Sequence, residues 1–344
     1  MGDQIAGLTR HGGVLVIGEV GQAHDGSLGT AHAYIDAIAD TGADAVKFQT
    51  HIADAESSTD EPWRVKFSSQ DVSRYDYWKR MQFTTEQWLG LKKHADERKL
   101  LFLSSPFSLE AVRLLSGLGI KAWKLASGEI NNIPLVDALV ASQLPVLAST
   151  GMSTLNEIDH VVERLKTSSG GFALLQCSST YPTPPDRIGL NVLTELRDRY
   201  QCKVGLSDHS GTIFPSLAAV TLGASIIEVH VVLSRKSFGP DVSSSVTDQE
   251  LGNLVKGIRM IETALSSPVD KSKIPSDLVE TKRTFGRSIV FERDLQAGHT
   301  LLVEDLSLKK PGNGLGAERL TTIIGRKLRR SVSKGQRVSE EDFA

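Results

Sequence analysis

The sequence predicts a (β/α)8 TIM barrel followed by a small β-rich module. Three observations carry this reading. Eight short apolar, β-branched runs alternate with longer amphipathic segments. Nearly every run ends in a charged or hydroxyl residue. The chain also changes character after residue 284, where long helical patterns give way to short β-like runs rich in glycine. The expected organisation is a catalytic barrel over residues 1–265, a linker over 266–284 and a small domain over 285–344.

The eight runs cover residues 14–18, 43–48, 100–103, 122–125, 145–148, 172–176, 203–206 and 225–229. Amphipathic stretches such as 29–39, 85–99, 109–117 and 155–167 lie between them and read as helices. Eight such units over 225–265 residues match the usual size of this barrel, about 250 residues. An internal echo supports the repeat. Gly42-Ala-Asp-Ala-Val-Lys47, Gly119-Ile-Lys-Ala-Trp-Lys124 and Gly223-Ala-Ser-Ile-Ile-Glu228 share one layout, a glycine followed five positions later by a charged residue. The glycine suits a helix C-terminus. The charge at the end of a buried strand needs a different reason, because such positions are normally apolar.

Two stretches break the rhythm. Residues 51–83 form a long polar insertion carrying Trp63, Tyr75, Tyr77 and Trp78, read either as a lid or partner contact or as an insertion packing its aromatics on the barrel. Residues 266–284, with Pro268, Pro275 and many Lys, Ser and Asp, read as a linker. The tail repeats itself: Gly298 precedes Asp305, and Gly335 precedes Asp342, by seven residues each.

A formal net charge of −2 argues against broad electrostatic binding of nucleic acid or anionic membrane, so any anion must be held by a local pocket. Residues 1–13 carry no basic-then-apolar signal pattern, and no stretch reaches the ~20 apolar residues of a membrane helix. Cys177 and Cys202 are the two cysteines and have no CxxC spacing, so they read as reduced thiols in a cytoplasmic protein.

In a parallel barrel the chemistry sits at the C-terminal strand ends. Read in order, these ends give Glu19; Lys47 and Gln49; Ser104 and Ser105; Lys124, Ser127 and Glu129; Ser149 and Thr150; Ser178 and Ser179; Ser207, Asp208 and His209; and Glu228 with His230. Two converging ammonium groups, Lys47 and Lys124, either share an anion with the hydroxyls of Ser105, Ser127, Ser179 and Ser207 or pair with Glu19 and Glu228. His209 and His230 end neighbouring strands and suit a shared divalent cation beside Asp208 and Glu228, with water and substrate oxygens completing its shell. Glu19 and Glu129 are the acid–base candidates, or else simply hold a lysine.

These residues stand in a recognisable order. Gly18-Glu-Val-Gly-Gln-Ala-His24, Ala45-Val-Lys-Phe-Gln-Thr50, Phe102-Leu-Ser-Ser-Pro-Phe-Ser108, Lys124-Leu-Ala-Ser-Gly-Glu-Ile-Asn-Asn132, Ser149-Thr-Gly-Met152, Tyr181-Pro-Thr-Pro184, Gly205-Leu-Ser-Asp-His209 and Gly239-Pro-Asp241 resemble the N-acetylneuraminate (sialic acid) synthase family. In the tail, Lys310-Pro-Gly-Asn-Gly314 and Gly325-Arg-Lys resemble its antifreeze-protein-like SAF domain. The resemblance implies condensation of phosphoenolpyruvate with an open-chain N-acylhexosamine of the N-acetylmannosamine type, giving a nine-carbon 2-keto acid and phosphate. Synthases of pseudaminic, legionaminic or other nonulosonic acids are the alternative within the family. It further implies that Lys47, Ser105, Lys124, Ser127, Ser179 and Ser207 bind phosphoenolpyruvate. Glu19, Gln49, Tyr181, Asp241 and Lys310 would face the sugar, and His209 with His230 would hold Mn2+, or Mg2+ or Co2+ in its place. Glu129 would manage the protons of a water. A homodimer with swapped C-terminal domains, bringing Lys310 to the other barrel, is also implied.

The chain departs from the family pattern at Ala23, Ser179, Lys310 and the residues flanking His230, changes that leave the phosphoenolpyruvate chemistry intact and bear on the identity of the sugar. A non-catalytic carbohydrate-binding relative is the reading from another class. It predicts loss of the ionisable strand ends, yet Lys47, Lys124, Glu129, His209 and His230 are all present.

Overall fold

Alternation along each strand decides where every functional side chain points, because successive residues face opposite sides of a sheet. In the computed structural model, which describes residues 6–8 and 13–344, the eight barrel strands are β1 Leu15–Gly21, β2 Ala45–Thr50, β3 Leu101–Pro106, β4 Trp123–Leu125, β5 Val146–Ser149, β6 Phe172–Cys177, β7 Lys203–Asp208 and β8 Ile226–Val232. Most of residues 1–13, read above for a signal pattern, lie outside the described residues. All laddered pairs within the barrel are parallel, in the order β3-β2-β1-β8-β7-β6-β5-β4. β3 and β4 run side by side without ladder pairing and bring the ring nearly to closure. A two-residue strand, β9 (Val246–Thr247), pairs parallel with the C-terminal end of β8 at Val231 and Val232.

Leu15, Ile17, Ala45, Leu103, Ala122, Leu147, Ala173, Leu175 and Ile226 fill the barrel interior. A larger apolar layer, including Val16, Val46, Phe48, Phe102, Trp123 and Ile227, packs strands against helices. The helices begin with local devices readable in sequence: Ser27 and Ser108 cap their helices, and Thr84, Thr154 and Thr247 form capping boxes with Gln87, Glu157 and Glu250.

β1, β2 and β8 run two or three residues further than their apolar runs. A reading that stops at the first charge ends these strands too early. The interior face turns polar before the ladder ends, so Glu19, Lys47, Gln49, Glu228 and His230 lie within strands. The insertion 51–83 carries two short helices, Ala53–Glu56 and Arg74–Met81. Its aromatics pack on one another: Tyr77, Trp78 and Met81 are buried with Ala53, and Trp63, Phe67 and Tyr75 lie against them.

The chain divides into two compact units, Met1–Ser267 and Pro268–Ala344. The stretch read as a linker holds a 3-10 turn, Ser276–Leu278, and a helix, Val279–Phe285. In the second unit β10 (Ser288–Phe291) and β11 (Leu306–Lys309) pair antiparallel over a core that includes Ile289, Phe291, Leu301, Leu328 and Phe343. The repeat in the tail is structural. Gly298 and Gly335 both take positive φ, and Asp305 and Asp342 are both fully buried. Each aspartate accepts a backbone N–H three residues back, from Leu302 (2.9 Å) and Ser339 (2.7 Å), and each receives an arginine, Arg293 and Arg330. Among the described residues no helix is long and apolar enough to cross a membrane.

Candidate active site

A cavity of about 400 Å3 opens among the barrel strand ends. Thirteen of the fourteen residues expected at the site line it: Glu19, Lys47, Gln49, Ser105, Lys124, Ser127, Glu129, Ser179, Tyr181, Ser207, His209, His230 and Asp241. Lys310 belongs to the second unit, where its ammonium lies 5.1 Å from the centre of the Phe285 ring.

Register places the central groups side by side. Glu19 is level with Lys47 on one neighbour and with His230 on the other, and Ser207 is level with Glu228. The Lys47 ammonium lies 2.8 Å from Glu19 Oε2 and 3.8 Å from Glu228 Oε1, and the Lys124 ammonium lies 3.5 Å from Glu228 Oε1. The lysines therefore pair with carboxylates. All four side chains are buried, and one oxygen of Glu228 has no hydrogen-bond partner.

Burial pushes the Lys124 ammonium below the ordinary lysine range, with Lys47 adding to the effect against the pull of Glu228. Glu228 moves the other way: burial would raise its carboxyl, but Lys124 and Lys47 outweigh it and hold it low. Burial dominates at Glu19 and raises it despite Lys47.

Hydroxyls surround the pair. Lys124 donates to Ser149 Oγ (2.7 Å), Lys47 to Ser105 Oγ (3.4 Å), and Ser207 Oγ to Glu228 Oε1 (3.1 Å). Ser127 Oγ accepts the N–H of Gly151 at 3.1 Å. A Cβ on Gly151 would stand 2.6 Å from Ser179 Oγ, 2.8 Å from Cys177 Sγ and 3.0 Å from Ser127 Oγ. Glycine is required there, because three polar side chains close on its backbone.

The other side of the cavity holds the imidazoles. The His209 and His230 ring centres are 5.2 Å apart. His209 Nδ1 lies 2.9 Å from the carbonyl of Ser178, so Nδ1–H donates and the Nε2 lone pair is left toward Tyr181, whose hydroxyl is 3.3 Å away. Burial, then His209 and the lysines, holds His230 well below the usual histidine range and keeps it neutral. Two imidazoles this close fit a divalent cation that draws its remaining ligands from water or substrate. Among the described residues no group of three or more His, Cys, Asp or Glu is arranged for a metal by itself. Asp208, expected beside the histidines, turns to the helix side, where it accepts from the Ser210 amide (2.8 Å) and Ser216 Oγ (3.0 Å). Strand alternation places it there.

Glu129, on the turn Ser127–Glu129, accepts from Asn132 Nδ2 at 2.7 Å, and burial raises its carboxyl. Asp241 Oδ1 pairs with Arg64 at 3.2 Å, and Arg64 lies 4.6 Å over the Tyr181 ring. Sequence reasoning missed Arg64, His51 and Trp78 from the insertion, and gave Cys177 no role at the cavity. For Cys177 a signal existed: it shares the parity of Ala173 and Leu175, which face inward.

A parallel barrel whose strand ends line one polar cavity, with a separate β-paired unit, defines the class of TIM-barrel enzymes with an appended small domain. Residues 34–270 match the NeuB family and residues 286–344 the SAF domain. The chain is 34% identical over 333 residues to N,N'-diacetyllegionaminic acid synthase of Campylobacter jejuni, covering 95% of this chain and 99% of that one. It is 30% identical to the human N-acetylneuraminate-9-phosphate synthase, over 95% of this chain and 91% of the other. Among solved structures, N-acetylneuraminic acid synthetase from Leptospira borgpetersenii, crystallised with citrate, superposes with a TM-score of 0.67 at 30% identity, over 78% of this chain and 90% of that one. The chain therefore belongs to the NeuB family, the nonulosonic acid synthases, phosphoenolpyruvate-dependent enzymes that form a carbon–carbon bond, and it ends in a SAF domain.

Proposed function

We propose that this chain condenses phosphoenolpyruvate with the open-chain aldehyde of an N-acylhexosamine of the N-acetylmannosamine type, releasing phosphate and a nine-carbon sialic acid. The observation that carries this reading is the convergence of Lys47, Lys124 and the serine hydroxyls on one buried floor, beside two imidazoles. Phosphoenolpyruvate carries a phosphate and a carboxylate. Lys47 and Lys124 would give these groups charge-assisted hydrogen bonds in exchange for their contacts with Glu19 and Glu228. Ser105, Ser127, Ser179 and Ser207 donate to its oxygens.

C3 of phosphoenolpyruvate bonds to the aldehyde carbon, and the aldehyde oxygen takes up a proton from water. C2 is left electron-poor, a water adds to it, and the C2–O bond to phosphate breaks as the new C2 hydroxyl passes its proton to the departing phosphate, leaving the keto group. Glu129, with its carboxyl raised by burial, receives the proton the water loses. Glu19, Gln49, Tyr181 and Asp241 orient the sugar. His209 and His230 would hold a divalent ion, Mn2+ first, which when bound polarises the aldehyde. The enzyme works in the cytoplasm as a homodimer with swapped SAF domains, so that Lys310 reaches the sugar in the other protomer's barrel.

A second reading within the family is a legionaminic or pseudaminic acid synthase, favoured by the 34% identity to a legionaminic acid synthase. One assay separates the readings. Purified protein with Mn2+ and phosphoenolpyruvate is offered mono- and di-N-acetylated hexosamines, with and without a 6-phosphate, and phosphate and 2-keto acid are measured. Fastest turnover with N-acetylmannosamine supports the first reading, and a di-N-acetylated preference supports the second. Phosphate release with none of them overturns both.

A further inference from the structure

Among the insertion residues that line the cavity, His51 is a buried histidine. His51 is sandwiched between Trp78 (4.0 Å between ring centres, 21° between planes) and Phe107 (4.4 Å, 13°). Its Nδ1 lies 2.6 Å from Glu56 Oε1, and the other oxygen of Glu56 accepts the Ile52 amide at 3.1 Å, so the carboxylate is itself anchored. Its Nε2 lies 3.1 Å from Gln49 Oε1. The same oxygen accepts from Gln22 Nε2 at 3.3 Å, and Gln22 Oε1 accepts the Tyr77 hydroxyl at 2.7 Å. On its other side Gln49 donates through Nε2 to Glu19 Oε1 at 2.9 Å.

An amide flips freely when its neighbours do not distinguish oxygen from nitrogen. Here they do. The oxygen of Gln49 faces the Gln22 amide and His51 Nε2, a donor when the ring carries a proton on each nitrogen, as its two oxygen neighbours Gln49 Oε1 and Glu56 Oε1 favour, and the nitrogen of Gln49 faces a carboxylate. Flipping it would set N–H against N–H and oxygen against carboxylate. The donors that fix the oxygen are His51, from the insertion, and Gln22, which Tyr77 of the insertion holds in turn.

We propose that His51 is a positioning residue for the acceptor-sugar half of the site: clamped by Glu56 and the two flanking rings, it locks the Gln49 amide in the orientation that presents its NH2 to Glu19 and to the sugar. This rests on the placement of Gln49 and Glu19 on the sugar side given above. It also gives the insertion a defined task. The segment sets the hydrogen-bonding pattern of two strand residues that sequence alone places at the mouth.

The test compares variants of the full-length protein by steady-state kinetics with each substrate varied. His51→Phe combined with Glu56→Gln keeps a ring in the sandwich and leaves no unpaired buried charge. KM for the sugar should rise about tenfold or more, the effect of losing one or two oriented hydrogen bonds. KM for phosphoenolpyruvate should stay within about twofold, and the melting temperature should be preserved. His51→Gln, which restores a donor toward Gln49, should recover part of the loss. Equal rises in both KM values, or no recovery with glutamine, would overturn the positioning role. Gln49→Ala separates the two layers: if it leaves the sugar KM unchanged, the assignment of Gln49 to the sugar fails first. If Gln49→Ala impairs the sugar KM and the His51 variant does not, only the positioning role fails.

Discussion

Both units bury carboxylates, but they treat them differently. In the second unit Asp305 accepts the Leu302 amide, Arg293 and His299, and Asp342 accepts the Ser339 amide and Arg330. Each oxygen has a partner, and the chain turn it caps is held in place. At the barrel mouth Glu228 keeps one oxygen without a partner, and Lys124 is driven below its ordinary range by its own burial. Full satisfaction produces a rigid turn. Partial satisfaction produces a charged group that gains by meeting a ligand, because a buried ionised group short of partners costs several kcal/mol on the scale of unpaired ions. The first arrangement serves stability and the second serves binding.

The largest effect should come from neutralising the mouth. Lys124→Met with Glu228→Gln replaces a buried ion pair by groups of similar volume, which is often neutral or stabilising. The melting temperature should hold or rise, while kcat/KM falls about 10²–10³-fold, the range for losing one preorganised electrostatic contact. Calorimetry together with the phosphate-release assay checks this. A large fall in melting temperature would mean that the mouth pair is built for stability after all, and the contrast would collapse. The second unit should respond in the opposite sense. Asp305→Ala removes a turn cap and charge-assisted hydrogen bonds, so unfolding of residues 268–344 should become easier by about 2–3 kcal/mol. Denaturant titration followed by hydrogen exchange in that unit measures it, and a change under about 0.5 kcal/mol, the level of an ordinary surface substitution, would show that the buried aspartate carries little.

Legibility in the sequence follows the same division. The barrel was visible because its strands and helices differ in period and because polar strand ends contradict a buried apolar run. Glu19, Lys47, Lys124, Ser207 and His230 could thus be read in place. The tail repeat was visible as two equal Gly-to-Asp spacings, although spacing alone does not mark both aspartates as buried caps. Alternation was underused. Applied strictly, it would have turned Asp208 outward and Cys177 inward, since each strand side chain's face is fixed by its neighbours. Arg64, His51 and Trp78 were not legible in that way. They reach the cavity from an irregular insertion, where no period fixes direction and the aromatic packing depends on contacts up to tens of residues apart.

The smallest expected effect is also the sharpest in sign. Burial alone would raise the Asp305 carboxyl, but the Leu302 amide, His299 and Arg293 outweigh it and hold it below the usual aspartate range. A carboxyl with a depressed folded-state value contributes stability that is fully present above its unfolded value, about 4, and is lost as pH falls through the folded one. Glu19 has the opposite sign: its raised value means that the folded barrel binds that proton sooner than the unfolded chain, so acidification through that value relieves a cost. Hydrogen exchange on the full chain between pH 7 and 3 should therefore show protection of the second unit falling below about pH 4. In Asp305→Asn that protection should start lower at pH 7 and depend less on pH. If the variant keeps the wild-type pH dependence, the acid sensitivity of this unit arises elsewhere and the cap at Asp305 is not what holds it.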